Sequence, residues 1–582
     1  MTASSIEGRI VLHASLSPNS EKALPVKLTA SLAAAVSLLA VSAATAAESP
    51  PKVPASPAER ASPTASASPN RGVIFAPESV SSEGSVTVGG QRIDYRAVAG
   101  TIVVHPKGWD DAAAREKQDK ADSKSDDKDL DDASNPKAEA SMFYVAYFKK
   151  GAPSPERPIT FIYNGGPGSS SVWLHMGAWG PRRVVTQDDT HTPAAPYRLV
   201  DNAYSLLDVS DLVFIDAPGT GFSRVAGKDK EKAFYGVDAD AYAFSQFILG
   251  FLSQHGRWNS PKYLFGESYG TPRSAVVVNA LETDHDVDFN GVILLSQILN
   301  FDLNADEPQF NPGTDEAYIT TLPSYAATAW YHNRLPGPKP ALEPLLAQAE
   351  QFATTDYATA LQQGSELPPE RRQAIAERLS QFTGLPVGYI LKADLRINVG
   401  EFMKTLQDPE GLTTGRLDSR FSGPSLDPLS KEAEYDPQSA AVSSAYVTAF
   451  NDYVRQRLGF GGDRAYKAEI SFGGKWEFNH QPPGAGSPQR GILNVMPDLA
   501  SAMKYNPQLK VMLLGGYFDL ATPFYQGWYE MHHLQIPASL NGNIDYRYYP
   551  SGHMVYANEA SLRKMHDDVA GFIRRTDNLG GR

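Results

Sequence analysis

Five short runs of this chain, PITFIYN, DLVFIDA, KYLFG, GVILLS and LKVMLLGG, are apolar at successive positions instead of alternate ones. A strand that is apolar on both sides must be covered on both sides, as in a parallel sheet held between two layers of helices. Between the second and third runs, DADAYAFSQFILGFLSQHG reads as a covering helix with Tyr242, Phe247, Leu249 and Leu252 on its apolar face. TPRSAVVVNALE, after the third run, reads as another. Strand and helix in alternation predict a doubly wound, mostly parallel α/β sheet. The alternation stops near Leu303 and resumes near Leu509. The core is therefore expected over 71–303 and 509–582, with 304–508 as an inserted cap, mostly helical. Two stretches in the insertion have helical spacing: PPERRQAIAERLSQF, with Ile375, Leu379 and Phe382, and SSAYVTAFNDYVRQRL, with Tyr446, Phe450 and Tyr453. Caps of this kind sit above the strand ends, where open α/β sheets bind ligands.

The N-terminal region has a different character. Lys22 and Lys27 precede an apolar stretch from Leu28 to Val41, followed by SAATAAE. That order predicts a secretory signal over 1–47, cleaved near Ala46 or Ala47. The apolar stretch is shorter than the roughly 20 residues a spanning helix needs, so no stable membrane span is expected after cleavage. The reading implies an exported protein, periplasmic or secreted; the alternative is an anchor formed by the uncleaved segment. Residues 48–70 are rich in Pro, Ala and Ser and predict a linker, and 110–137, aspartates interleaved with lysines, predict a solvated loop. The chain has a formal net charge of −13, which opposes nucleic-acid binding. It has no cysteine, which excludes disulfides, thiol catalysis and cysteine-ligated metal.

YLFGESYG brings the chemistry. Ser268 stands between a buried-looking strand and a helix, with Gly266 and Gly270 two residues to either side. In that context Gly-x-Ser-x-Gly is a nucleophile elbow: a strained turn lifts the hydroxyl above the sheet, and the next amide, that of Tyr269, faces the space beside it. A serine nucleophile needs a base, and the base an orienting carboxylate. In α/β hydrolases these follow in the order Ser, Asp, His, each after a strand. LKVMLLGGYFDLATP supplies Asp519, and IDYRYYPSGHMVY supplies His553. His532 and His533 lie on a helix-like stretch and His175 in a different loop, so they fit worse. After the first strand comes GGPGSSS, whose Gly165, Gly166 and Gly168 let backbone approach a substrate carbonyl. It lacks the Lys-Ser/Thr pair of a phosphate loop.

YNGGPGSSS, FIDAPGTGFSR, FGESYG, YFDLATP and SGHMVY, in this order over roughly 140–575, resemble the serine carboxypeptidases of peptidase family S10. The resemblance implies an α/β-hydrolase fold with a helical cap, hydrolysis of C-terminal residues from peptide substrates, and no metal or other cofactor. It implies Ser268, Asp519 and His553 as the catalytic residues, and the amides of Gly166 and Tyr269 as the oxyanion hole. Asn164, the Gly165 amide and Glu267 are implied to hold the substrate's terminal carboxylate. A protonated Glu267 would share its proton with that carboxylate.

Three departures stand out. Ser169 replaces the cysteine usual in the glycine loop, and the whole chain lacks cysteine, as a bacterial branch would. Ala178 stands where many relatives carry a second glutamate. The same catalytic set would also serve an iminopeptidase, an esterase or an acyltransferase, although Asn164 replaces the histidine usual in iminopeptidases. A non-catalytic binding protein on a hydrolase fold is the reading from a different class. Arg416, Asp418 and Arg420 line the site or form a local ion-pair cluster.

Overall fold

The computed structural model describes residues 74–110, 138–152 and 156–580. The expected signal segment 1–47, the linker 48–70 and positions 111–137 of the charged loop lie outside the described residues.

The main sheet is built from β1 (Ser79–Val88), β2 (Gln91–Val104), β3 (Glu139–Lys149), β4 (Ile159–Tyr163), β5 (Asp211–Ile215), β6 (Lys262–Glu267), β7 (Gly291–Leu295), β8 (Lys510–Gly516) and β9 (Ile544–Tyr549). Their spatial order is β1-β2-β3-β5-β4-β6-β7-β8-β9, with the short strand Arg224–Ala226 paired to β3. The first three strands form an antiparallel meander, and β3 is also antiparallel to β5. From β5 to β9 all neighbours are parallel. The reversal of β4 and β5 is the switch point of the sheet. It sets the loop after β4 beside the end of β6, with Tyr163 opposite Gly266. This is an α/β-hydrolase fold.

The doubly apolar strands divide their side chains between two cores, as the period of two requires. On one face Tyr147, Phe214, Phe265, Leu295 and Leu514 meet α6 (Pro437–Gln456) and α9 (Glu559–Thr576), the longer helices among the described residues being α1 (Val237–His255), α2 (Gly270–His285), α3 (Glu316–Tyr331), α4 (Leu342–Phe352), α5 (Pro369–Thr383), then α6, α7 (Met496–Tyr505), α8 (Phe524–His532) and α9. On the other face Phe161, Val213, Leu264, Leu294 and Val511 meet α1, α2 and α7. In α1 the buried stripe runs through Phe244, Phe247, Ile248, Phe251 and Leu252, whereas the expected Tyr242 and Leu249 are half-buried at its margins.

The insertion is not a single cap. Helices α3, α4 and α5 pack on one another through Tyr325, Ala349, Phe352, Ile375, Leu379 and Phe382, a core of their own. Helix α6 belongs instead to the core under the sheet, because its aromatic stripe packs against the segment after the glycine loop. Tyr446 meets Trp173 and Phe450 meets His175, with ring centroids 5.5 and 5.4 Å apart. Helix α7 covers the opposite face against α2. Residues 457–495, between α6 and α7, form neither helix nor strand beyond isolated bridges, unlike the helical stretch from α3 to α5.

Candidate active site

Strand β6 ends at Glu267 and α2 begins at Gly270, so Ser268 and Tyr269 make the whole turn between them. Ser268 has φ 58°, the left-handed region that costs a non-glycine residue about 1–2 kcal/mol. The strained residue is held at both peptide groups: its N–H donates to Leu295 O at 3.0 Å, and its carbonyl accepts from the Thr271 N–H at 2.8 Å. A Cβ at position 266 would collide with the Gly270 carbonyl, which is why a side chain is not tolerated there. One at position 165 would collide with the Tyr269 amide. The glycine loop thus lies directly on the elbow. The N–H groups of Gly165, Gly166 and Tyr269 have no acceptor among the described residues, while Gly165 O takes the Ser169 N–H at 3.0 Å and fixes the loop. Ser169, in place of the usual cysteine, accepts from Trp173 Nε1 at 2.8 Å.

Asp519 and His553 come from the loops after β8 and β9, and their side chains meet at 2.8 Å between Oδ2 and Nδ1. Asp519 is fully buried. Its carboxylate also accepts from Ala521 N, Thr522 N and Thr522 Oγ1, at 2.8, 3.0 and 2.8 Å. These donors hold the carboxylate in place. Burial works against a charged His553, but the Asp519 carboxylate, by charge and hydrogen bond, outweighs it, and the imidazole titrates above its ordinary range. Ser268, His553, Asn164, Gly165, Gly166 and Glu267 all line one cavity of about 290 Å³.

Other histidines are engaged elsewhere. His175 is buried, hydrogen-bonded to Tyr147 Oη at 2.7 Å and pushed down to about 3 by burial. His532 and His533 lie at the end of α8 and bond back to Trp528 O and Tyr529 O.

Glu267 is 3% exposed. Burial pushes its carboxyl up to about 7, partly offset by the nearby His553 and by hydrogen bonds from Tyr556 and Asn164. The Tyr556 hydroxyl lies 3.2 and 2.9 Å from the two carboxylate oxygens. Tyr556 ends the SGHMVY run, and nothing in the sequence marks it as a partner of Glu267. Ala178 is fully buried. The backbone of Gly177 next to it is pressed by the Tyr556 ring and the Tyr446 hydroxyl, which a Cβ there would meet at 2.6 and 2.7 Å. Tyr556 and Tyr446 both stand near Glu267, and Tyr556 is bonded to it.

The segment around Arg416 was not placeable from sequence. Its backbone straps the loops that bear Asp519 and His553. Arg416 O accepts from Leu520 N at 3.0 Å, Leu417 O from His553 N at 2.6 Å, and Ser419 N donates to Phe518 O at 2.9 Å. The Asp418 carboxylate takes the Gly552 N–H at 3.1 Å and pairs with Arg420 at 2.6 Å. Arg416 itself lines the cavity while bound to Asp306 through two hydrogen bonds of 2.7 and 2.6 Å. Asp418 and Arg420 pair with each other, whereas Arg416 pairs with Asp306 and is the one of the three on the cavity wall.

Removing the Tyr556 hydroxyl takes away a donor that favours the charged carboxylate, so Tyr556→Phe is expected to move the Glu267 titration above about 7. The protonated-carboxyl band in infrared difference spectra against Glu267→Gln reads it across pH; an unmoved or lowered midpoint contradicts the contact.

Residues 133–303 match the family model described as serine carboxypeptidase. A carboxypeptidase Y homolog of Arthroderma benhamiae is 33% identical over 138 residues, covering 24% of this chain and 25% of the relative. Serine carboxypeptidase-like 36 of Arabidopsis thaliana is 27% identical over 177 residues, 29% of this chain and 34% of the relative. These alignments span about a quarter to a third of the relatives' lengths. Among solved structures, Kex1(delta)p, a prohormone-processing carboxypeptidase from Saccharomyces cerevisiae, is similar at 17% identity and a TM-score of 0.46, covering 82% of this chain and 91% of that one. The stretch 133–303, which carries both the glycine loop and Ser268, is similar to the serine carboxypeptidases.

Proposed function

We propose that the chain is a serine-type carboxypeptidase that removes C-terminal residues from peptides through an acyl-enzyme on Ser268. The observation that carries this reading is a buried carboxyl, Glu267, that keeps its proton up to about pH 7 in the cavity of Ser268. A protonated acid beside a nucleophile suits a substrate with a free carboxylate at the scissile end. Asn164 supports the same role: its Oδ1 accepts the Leu174 N–H at 3.2 Å, which turns its amide nitrogen the other way. With the Gly165 N–H, these groups would grip the terminal carboxylate.

In this reading Ser268 Oγ attacks the last peptide carbonyl and His553 Nε2 takes its proton. Asp519 keeps the proton on Nδ1 and steadies the imidazolium. The free amides of Gly166 and Tyr269 receive the oxyanion. His553 then protonates the leaving amine, and water, activated by the same imidazole, releases the shortened peptide. The N-terminal pattern and the absence of cysteine support an exported protein of a bacterial branch, matured near Ala46. Among the described residues no helix is long and apolar enough to cross a membrane. N-terminal sequencing of the exported protein reads the maturation directly, and a chain that starts at Met1 overturns it.

Ser268→Ala is expected to lower kcat by several orders of magnitude at unchanged Tm, leaving roughly 10³–10⁴-fold acceleration over water. Near-normal kinetics would remove Ser268 from the mechanism.

The pH dependence separates a carboxypeptidase from the other hydrolases. Below about 7 Glu267 is protonated and can donate to a substrate carboxylate; above it two negative charges face each other. KM for an N-blocked dipeptide should therefore rise as pH passes about 7, while its C-terminal amide shows no such rise. Glu267→Gln, a donor that does not titrate, should flatten the dependence for the acid. On the acid side kcat should fall as His553 becomes charged and ceases to act as base, at a pH above that of an ordinary histidine. Equal handling of acid and amide at every pH, or a requirement for a free N-terminus, would favour the esterase or iminopeptidase reading.

A further inference from the structure

A second cavity, of about 280 Å³, lies on the far side of the loop that carries Asp519. The two residues flanking that loop, Tyr517 and Phe524, belong to its wall, and Tyr525, Trp528 and Tyr548 complete an aromatic lining. The rings fix one another. Tyr517 and Phe524 meet edge to face at 5.1 Å, Phe524 and Tyr548 at 5.2 Å, and Tyr525 stacks on Trp528 at 4.9 Å.

Helix α4 closes the cavity. Its Leu342, Leu345, Ala349 and Phe352 point into the apolar cores, while Glu343, Ala347 and Glu350 form a neighbouring stripe at i, i+4 and i+7 that faces the rings. Ala347 leaves room between the two carboxylates. Neither carboxylate has a hydrogen bond or ion pair among the described residues, and no lysine or arginine lines the cavity. Glu343 is exposed and Glu350 half-buried, and burial pushes the Glu350 carboxyl up to about 6. The Tyr548 hydroxyl is closed off from solvent and has no hydrogen-bond partner in the described chain.

Packing between cap and core explains the rings but not the charges. Ring faces are negative, and two unpaired carboxylates beside them make a recess of negative potential with no cation to balance it. The volume suits a single headgroup and is small for a drug-sized ligand. Two carboxylates could also accept from a primary ammonium or a guanidinium, but a wall of five aromatic rings favours a cation that needs no hydrogen-bond acceptor. An alkylated ammonium asks only for ring faces and negative charge. We propose that this cavity is a binding site for a small quaternary ammonium compound, separate from the cavity of Ser268.

The test is calorimetric titration of the full chain at low salt with choline, with tetramethylammonium and with 3,3-dimethylbutan-1-ol, the neutral isostere of choline. One choline is expected to bind, roughly tenfold or more tightly than the neutral alcohol. Glu350→Gln should weaken choline severalfold. Ala347→Leu, which fills the recess from an exposed helix position without touching a charge, should abolish binding at a retained Tm. Equal affinity for choline and its neutral isostere overturns the proposal, as does choline binding that survives both substitutions. Binding of arginine amide with choline silent would overturn the assigned ligand class. If Glu350→Gln lowers the Tm, the Ala347→Leu result decides alone.

Discussion

The site rests on a tight passage of backbone at the end of β6. Ser268 is forced into a left-handed conformation, and the strain persists only because its surroundings leave no alternative. Gly266 and Gly270 allow the strand to run straight into the helix, and Gly165 allows the neighbouring loop to lie on the elbow amides. Beneath this contact sits a fully buried ion pair. Arg273 Nε meets Asp240 at 2.6 Å, and its Nη1 donates to the Asn164 carbonyl at 2.7 Å. The guanidinium also lies over the rings of Tyr163, Phe244 and Tyr269. One side chain thus ties α1, α2 and the glycine loop together. Such a pair contributes little net stability, but removing one partner leaves a buried charge, at a cost of about 3–5 kcal/mol. Its effect is to hold three segments in register.

The insertion does more than roof the cavity. By hydrogen-bonding to Leu520, Gly552 and His553, the backbone and carboxylate around Leu417 and Asp418 brace two loops that no common strand connects. Parallel strands place the ends of β8 and β9 side by side, but the loops beyond them need this outside support to keep Asp519 and His553 at 2.8 Å. A site spread over residues 164, 268, 417, 519 and 553 is therefore only as rigid as the cap-to-core seam.

The electrostatic character of the cavity comes from a contest between burial and hydrogen bonds. Glu267 has lost water and gained only Tyr556 and Asn164, so its carboxyl holds a proton that an exposed glutamate would release. Asp519, equally buried, has four donors around it, counting the His553 ring. The two buried carboxyls thus differ in the donors each receives, two for Glu267 and four for Asp519. Tyr556 supplies Glu267 with a donor that never needs to be protonated first.

Much of this was legible in the amino-acid sequence. Runs apolar at successive positions can be buried only between two helical layers, so PITFIYN, DLVFIDA and the others identified the parallel strands. Gly-Glu-Ser-Tyr-Gly between strand and helix, with Asp519 and His553 each after a later strand, marked residues that the fold brings together, Ser268 and His553 in one cavity and Asp519 bonded to His553, because strand ends in a parallel sheet lie side by side. Local pattern could not say which core a helix joins. The stripe of Tyr446, Phe450 and Tyr453 looks the same whether it packs in a cap or under the sheet, and only the contact with Trp173 and His175 decided for the sheet. Nor could it reveal that Tyr556 meets Glu267, almost 300 residues earlier in the chain, or that residues 416–419 strap the Asp519 and His553 loops. Periodicity reports which side of an element is buried. The partner that buries it, and the proton a carboxyl keeps as a result, are set by distant segments that meet only in the folded chain.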